Sequence, residues 1–209
     1  MKLAIVTGAA GFLGSHLAMS LMQDQFAVIG IDNFCTGQER NIELLREQKN
    51  FHFIEGDVCD PEIWKSVRKL IAAQDFELSH VYHFASPASP PHYQRLNIET
   101  MLVNSNGLLE CLNFATSLGG RVVFASTSEV YGDPAVHPQT EDYWGNVNSF
   151  GARACYDEAK RFGEALIYSF NERHGTKHGL VRIFNTYGPR MNPNDGRVVI
   201  NFLVQALRG

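Results

Sequence analysis

The sequence predicts an α/β fold in which a doubly wound parallel sheet carries helices on both faces. Helical patterns separate most of six short β-rich runs, and a glycine-rich segment joins the first run to the first helix. Strands that alternate with single helices pair in parallel through right-handed crossovers, and their ligands lie outside the carboxyl ends of the strands. The predicted strands are 3–7, 26–32, 51–57, 78–85, 121–126 and 179–184.

The helices are predicted from apolar residues that recur on one face. The second helix opens with Asp60, a capping residue, followed by the helix-compatible Pro61. Two further helices are expected at about 100–117 and 152–174. The apolar faces of the first two helices carry Leu13, Leu17 and Leu21, then Ile63, Val67, Leu70 and Ile71. Irregular stretches, each directly after a strand and therefore candidate ligand loops, are expected at 86–96, 132–150 and 185–197.

Length and composition fit one domain or one and a half, with 209 residues of which 44% are hydrophobic and 19% charged. A dispersed net charge of −4 disfavours a nucleic-acid partner. No apolar stretch reaches the roughly 18 residues that span a bilayer, and no leader pattern opens the chain, so we expect a cytoplasmic protein without a membrane partner. The four cysteines lie far apart and the histidines lack ligand spacing, so we expect reduced thiols and no metal site.

The first strand leads into a glycine pattern that is typical of a phosphate cradle. Gly8, Gly11 and Gly14 form G-x-x-G-x-x-G between a strand and a helix, where backbone N–H groups and the helix dipole can meet a pyrophosphate. Asp32 ends the second strand, where a carboxylate can accept hydrogen bonds from the adenosine ribose and would repel a 2′-phosphate. The sequence therefore predicts a Rossmann-type domain that binds NAD rather than NADP. The predicted cofactor contacts are Gly8, Gly11, Phe12, Leu13, Gly14, Asp32, Asn33, Asp57, Val58, Ala85, Tyr156 and Lys160.

An acid–base pair is predicted on the fourth helix. Tyr156 and Lys160 lie one helical turn apart on one face, where the ammonium could lower the pKa of the phenol and fix the nicotinamide ribose. Thr127 ends the preceding strand and could hold the alcohol of a substrate while Tyr156 takes its proton. These three residues predict hydride-transfer chemistry.

Five separated segments resemble the UDP-glucuronate decarboxylases, also called UDP-xylose synthases, of the extended short-chain dehydrogenase/reductase family. The segments are SPASPPHY at 86–93, STSEVYGDP at 126–134, HPQTEDYWGNVN at 137–148, RACYDEAKR at 153–161 and RIFNTYGPRMNPNDGRVVINF at 182–202. The resemblance implies that UDP-glucuronate is oxidised at C4 by NAD, loses carbon dioxide as a β-keto acid and is reduced again to UDP-xylose. It implies catalytic roles for Thr127, Tyr156 and Lys160, and places Ser128 and Glu129 near C5 and C6.

Two alternatives to this reaction stay open. A different nucleotide-sugar epimerase or 4,6-dehydratase would release another sugar and no carbon dioxide. The dTDP-glucose dehydratases typically carry Thr-Asp-Glu where this chain has Thr127, Ser128 and Glu129, and the GDP-mannose dehydratases differ in the glycine loop. The chain could also be a catalytically silent NAD-binding fragment.

The resemblance also implies a UDP-sugar substrate and a set of residues that contact it. An anionic diphosphate and a carboxylate need cations, and arginines are suited to bind them. Arg40 and Asn41 resemble residues that approach the adenosine. The predicted substrate contacts are Pro87, Ser89, Tyr93, Asn185, Arg190, Arg197 and Asn201.

Two domains are expected: an NAD-binding domain at 1–184 and the start of a substrate-binding region at 185–209. Members of the resembled family continue into a C-terminal substrate domain, so we expect that domain to be largely absent here and the chain to be truncated. They also commonly form homodimers through two helices, here 100–117 and 152–174, and a homodimer is therefore expected.

Overall fold

The predicted parallel sheet is confirmed in a computed structural model that describes residues 1–209. Six parallel strands lie in the order β3-β2-β1-β4-β5-β6, the doubly wound arrangement. Ile5 in β1 stands between Ile29 in β2 and Val81 in β4, so this central strand has apolar neighbours along both of its edges. The strands are β1 Lys2–Thr7, β2 Ala27–Asp32, β3 Phe51–Glu55, β4 Glu77–His83, β5 Arg121–Thr127 and β6 Gly179–Ile183.

Two apolar clusters cover the two faces of the sheet, as the alternation of side chains along a strand requires. Leu3 and Ile5 of β1 belong to one cluster of 20 buried residues. Ala4 and Val6 belong to a second cluster of 11. Helices therefore pack on both faces, as predicted.

Eight α-helices surround the sheet, and the predicted ones are present. The Asp60 side chain caps α3 by accepting a hydrogen bond from the Glu62 N–H at 2.9 Å, with Pro61 in the first turn. The helix predicted at 100–117 is a continuous helical path in which a π-turn, Val103–Gly107, separates α5 from α6. The helices are α1 Phe12–Gln23, α2 Glu39–Arg46, α3 Pro61–Gln74, α4 Pro90–Arg95, α5 Asn97–Leu102, α6 Leu108–Ser117, α7 Ala154–His174 and α8 Val198–Arg208.

Two of these helices were not expected. The stretch 86–96, predicted to be irregular, contains α4, because Pro90 and Pro91 are compatible with a first helical turn. Helix α2 is short and mostly polar, yet it buries Asn41, Ile42 and Leu45. Helix α4 lines the cleft described below, and the N-cap residue of α2, Gln38, lines it as well.

The last helix leaves apolar side chains exposed, including Val198, Phe202 and Leu207. The expected substrate-binding region and the division of the chain at 184 and 185 stay predictions. No helix combines the length and apolar character needed to cross a membrane.

Candidate active site

A cleft of about 560 Å³ opens at the carboxyl ends of the strands. The glycine-rich loop forms one wall, and the residues that follow β4, β5 and β6 form the others. A smaller pocket of about 180 Å³ adjoins it and shares Gly8, Gly11 and Ser86 with it. Because they share these residues, the two pockets form one continuous candidate site for a dinucleotide and a second ligand.

The glycine loop is packed so closely at Gly8 and Gly14 that neither position has room for a side chain. Gly8 has a φ of +74°, and a Cβ there would lie 2.8 Å from the backbone of Phe84 and Ala85. A Cβ on Gly14 would lie 2.1 Å from the carbonyl oxygen of Gly8. Phe12 and Leu13, the first residues of α1, line the cleft, so the helix N-terminus faces it. The loop therefore fits a phosphate bound by backbone N–H groups.

Asp32 ends β2 at the edge of the smaller pocket and is nearly buried. One carboxylate oxygen accepts the Ala10 N–H at 2.9 Å and the other accepts the Phe34 N–H at 2.8 Å. Burial raises the pKa of Asp32, and these N–H groups offset part of that shift. Asp32 thus secures the glycine loop to β2 while it faces the pocket predicted for adenosine. Other predicted cofactor contacts that line this pocket are Asn33, Asp57, Val58 and Ala85.

Lys160 lies buried beneath the cleft, on α7. Its Nζ donates a hydrogen bond to the carbonyl oxygen of Ala125 at 2.7 Å and lies 4.7 Å from the ring centroid of Phe124. Nζ is 5.7 Å from the ring centroid of Tyr156. Burial lowers the pKa of Lys160 to about 7, because the low-dielectric surroundings disfavour the ammonium.

The expected lowering of the pKa of Tyr156 is wrong for this structure. Burial raises the pKa of Tyr156 to about 12, and a hydrogen bond with Thr127 only partly offsets it. The physical reason is that the phenol ring lies under the ring of Tyr93, with centroids 4.9 Å apart. The ammonium of Lys160 is hydrogen-bonded to Ala125 and is itself shifted towards its neutral form. The predicted group of Thr127, Tyr156 and Lys160 nevertheless lines one cleft.

A charged cluster beside Tyr156 contains a residue that sequence reasoning missed. Arg153 lines the cleft, donates a hydrogen bond to Glu129 and lies with Nε 3.5 Å from Asp157 Oδ2. The other oxygen of Asp157 is buried without a hydrogen-bond partner. Burial raises the pKa of Asp157 to about 6, and Arg153 counteracts that shift. The sequence signal was the spacing: Arg153 precedes Tyr156 by one helical turn.

Some residues predicted to be catalytic or to bind substrate lie apart from the cleft. Ser128 does not line it, because the chain turns after Thr127 into a 3₁₀-helix, Ser128–Tyr131. Ser89 is buried and lies 3.0 Å from the His92 ring nitrogen. The predicted substrate residues that do line a pocket are Pro87, Tyr93, Asn185 and Arg197.

Two further residues predicted to bind substrate instead form hydrogen bonds with backbone carbonyl oxygens of this chain. Arg190 donates to the carbonyl oxygen of Ser15 at 3.0 Å, and the Asn201 amide donates to Gly196 at 3.0 Å. Neither lines the cleft. Arg40 and Asn41, expected near adenosine, instead donate to the carbonyl oxygens of Met191 and Ala10. The backbone partners of Arg190, Arg40 and Asn41 are distant in sequence, so the motif alone could not reveal them.

Comparison with known protein families shows to which family the chain belongs. The model of the NAD dependent epimerase/dehydratase family matches residues 4–209. The chain belongs to this family. Relatives within it include UDP-glucuronic acid decarboxylase 1 of Xenopus tropicalis, 49% identical over 208 residues that cover 100% of this chain and 47% of the relative. UDP-glucuronic acid decarboxylase 6 of Arabidopsis thaliana is 48% identical and covers 98% of this chain, with 57% of the relative matched. The chain thus spans about half the length of these relatives.

Solved structures in the epimerase/dehydratase family have the same fold. A UDP-glucose 4-epimerase of Thermotoga maritima with UDP-glucose matches with a TM-score of 0.84 at 28% identity, over 100% of this chain and 63% of that one. A Thermus thermophilus UDP-glucose 4-epimerase in complex with NAD matches with a TM-score of 0.74 at 28% identity, over 93% of this chain and 58% of that one. The predicted membership of the family is confirmed by the family match and these likenesses.

Proposed function

We propose that this chain carries the cofactor-binding and acid–base part of an NAD-dependent UDP-glucuronate decarboxylase, which forms UDP-xylose through a 4-keto intermediate. The observation that carries the proposal is one cleft that joins the glycine cradle to Thr127, Glu129, Tyr156 and Lys160. The identity of nearly half to relatives named UDP-glucuronic acid decarboxylase supports the choice of reaction. The neighbouring structure in complex with NAD supports the cofactor.

When bound, NAD supplies a two-electron acceptor for C4 of the sugar and a donor for its later reduction. Thr127 orients the C4 hydroxyl, and Tyr156 accepts its proton through the phenolate oxygen. Since the pKa of Tyr156 is about 12 in the closely packed cleft, separation of its ring from Tyr93 by substrate is expected to ease ionisation. Lys160, anchored on Ala125, supports the phenolate from below.

Oxidation at C4 makes the C6 carboxylate that of a β-keto acid, and the ketone then accepts the electrons of the breaking C5–C6 bond. Carbon dioxide leaves, and C5 must gain a proton before C4 is reduced. Glu129 is the carboxyl group beside Tyr156 that could move that proton, and Arg153 holds it. The reaction conserves the cofactor because the oxidation is reversed on the same sugar.

A UDP-sugar 4-epimerase is the second candidate, because the Thermotoga maritima neighbour was solved with UDP-glucose. We also infer a homodimer, since α5 and α7 expose Ile98, Met101 and Phe162. Sedimentation of the chain at several concentrations tests the dimer, and removal of these side chains should leave a monomer. The cytoplasmic location stays a prediction.

The decisive experiment incubates the purified chain with NAD and UDP-glucuronate labelled at the C6 carboxylate. We expect labelled carbon dioxide and UDP-xylose from the wild-type chain and neither from Tyr156→Phe. Tyr168→Phe is the matched control, because Tyr168 lies on the same helix and is exposed. Epimerised sugar without label would favour the second candidate.

A chain that binds NAD yet releases no label would leave two explanations, which a chimera separates. The chimera joins this chain to the C-terminal region of the Xenopus tropicalis relative, whose matched part is 47% of its length. Label released by the chimera alone would show that the added region is required. No label from a folded chimera that binds NAD and UDP-glucuronate would contradict the proposed reaction.

A further inference from the structure

The segment after β6, residues 188–191, is hydrogen-bonded to α1 and α2, and we call it the strap. It has no regular secondary structure, yet Met191 is buried, with 5% of its surface exposed. Side chains of α1 and α2 hold its backbone, and one strap side chain reaches back to α1. These contacts are His16 Nε2 to Pro189 O at 3.0 Å, Arg40 Nη2 to Met191 O at 3.1 Å, and Arg190 Nη1 to Ser15 O at 3.0 Å.

Asn41 connects the strap with the glycine loop. Its side chain is 1% exposed, and its amide donates to the carbonyl oxygen of Ala10 within the loop at 2.9 Å. The same amide lies 3.4 Å from the carbonyl oxygen of Arg190. The loop and the strap therefore share one buried polar side chain, and a movement of one is expected to disturb the other.

The strap also borders the place where a pyrophosphate would lie. Met191 lines the same cleft as Gly11 and Phe12, and a Cβ on Gly188 would lie 3.3 Å from the Phe12 ring. The guanidinium of Arg190 is fixed on the first turn of α1, so it adds a positive charge close to the helix terminus that attracts anions.

The strap conformation depends on these side-chain bonds. Arg190 has a φ of +68°, a left-handed conformation that is unfavourable for a residue with a side chain. Without its bonds to α1 and α2, the segment is expected to relax away from the loop. Gly188 lets the strap lie against the Phe12 ring, where a Cβ would make a tight contact at 3.3 Å.

We propose that Arg40 and Arg190 are positioning residues that hold the strap against the glycine loop and so slow the release of a bound dinucleotide. The inference rests on the NAD binding of the proposed function. It suits a reaction in which one sugar is first oxidised and then reduced, because the same cofactor must stay in place between the two steps. Arg190 thereby acts through the loop rather than on the substrate.

The test measures NADH dissociation from the chain by stopped-flow fluorescence, with excess NAD as the competitor. We expect Arg190→Met and Arg40→Met each to raise the dissociation rate about fivefold, with association changed less than about twofold. Arg190→Lys should raise the dissociation rate less than Arg190→Met does, since an ammonium can still donate to Ser15. Arg46→Met is the matched control, because Arg46 lies on α2 but pairs with Glu39 and does not touch the strap.

Hydrogen exchange of the ligand-free variants supplies a readout that does not depend on the cofactor. Amides of residues 8–14 should exchange faster in Arg190→Met than in the wild type, while β4 and β5 stay unchanged. Wild-type release rates in both strap variants would overturn the strap inference and leave NAD binding intact. An equal rise in Arg46→Met would also overturn it, and a wild-type chain that binds no NADH would overturn the proposed function as well.

Discussion

The rings of Tyr93 and Tyr156 lie face to face, with centroids 4.9 Å apart and planes 9° from parallel. Tyr93 lies on α4 and Tyr156 lies on α7, so the stack joins these two helices. It shields the phenol from water, and burial is the main cause of the raised pKa of Tyr156. The reactivity of the predicted base therefore depends on a residue 63 positions earlier in the chain (156 − 93).

Replacement of Tyr93 by leucine should lower the pKa of Tyr156 from about 12 by about one unit, because the phenolate becomes better hydrated. Tyr93→Phe keeps the ring and should leave that pKa unchanged. It should also stabilise the chain by about 0.5 kcal/mol, since the Tyr93 hydroxyl is buried without a partner. NMR titration of chain labelled at the tyrosine ring carbons measures both variants, and an unchanged pKa in Tyr93→Leu would contradict the shielding role.

Lys160→Met should stabilise the ligand-free chain by about 2 kcal/mol at pH 7 and below, while it removes the proposed activity. The pKa of Lys160 is about 7 in the folded chain against an ordinary 10.5, so the unfolded chain binds the extra proton between these values. The lysine therefore costs most stability below pH 7, and the gain in Lys160→Met should shrink as the pH rises towards 10.5. Urea unfolding across this pH range measures the free energy of unfolding, and Lys69→Met, at an exposed lysine, is the control. An equal gain in stability in both variants would contradict the prediction.

Asp157→Asn should stabilise the chain by about 1 kcal/mol at pH 7, a value reduced for solvent screening. The pKa of Asp157 is raised from 3.8 to about 6, so the folded chain binds the extra proton between these values and stability falls as the pH rises through them. The charges that face Asp157 are those of Arg153, Glu129 and Glu158. Between pH 4 and 7, the melting temperature should change less with pH in Asp157→Asn than in the control Glu172→Gln. Identical pH dependences in the two variants would refute the raised pKa of Asp157.

Glu164→Gln should destabilise the chain by about 2 kcal/mol, because it breaks a largely buried ion pair. Glu164 accepts two hydrogen bonds from Arg182, at 2.7 and 3.0 Å, and one from Ser126 at 2.5 Å. The control Glu62→Gln removes an exposed pair with Lys65 and should change stability by less than about 0.5 kcal/mol. Denaturant unfolding compares the two, and equal effects would show that the network beneath Thr127 adds no stability.

The sheet and the main helices could be predicted because their signals are local. Short apolar runs marked all six strands, and the glycine spacing marked the loop between β1 and α1. Helix α2 escaped prediction since its buried face is partly polar, with Asn41 beside Ile42. The roles expected for Arg40 and Arg190 depended on loop paths that bring together residues 151 and 175 positions apart. No periodic pattern encodes such contacts.

The sequence by itself determined the parallel α/β sheet, the phosphate cradle and the placement of Tyr156 and Lys160 on one helix face. Those features follow from residue spacing, since helices and strands have fixed periods. Only the tertiary structure decided the protonation behaviour of these groups and the partners of Arg153 and Arg190. The physical reason is that a pKa depends on burial and nearby charge, and both are set by side chains that other elements bring into contact.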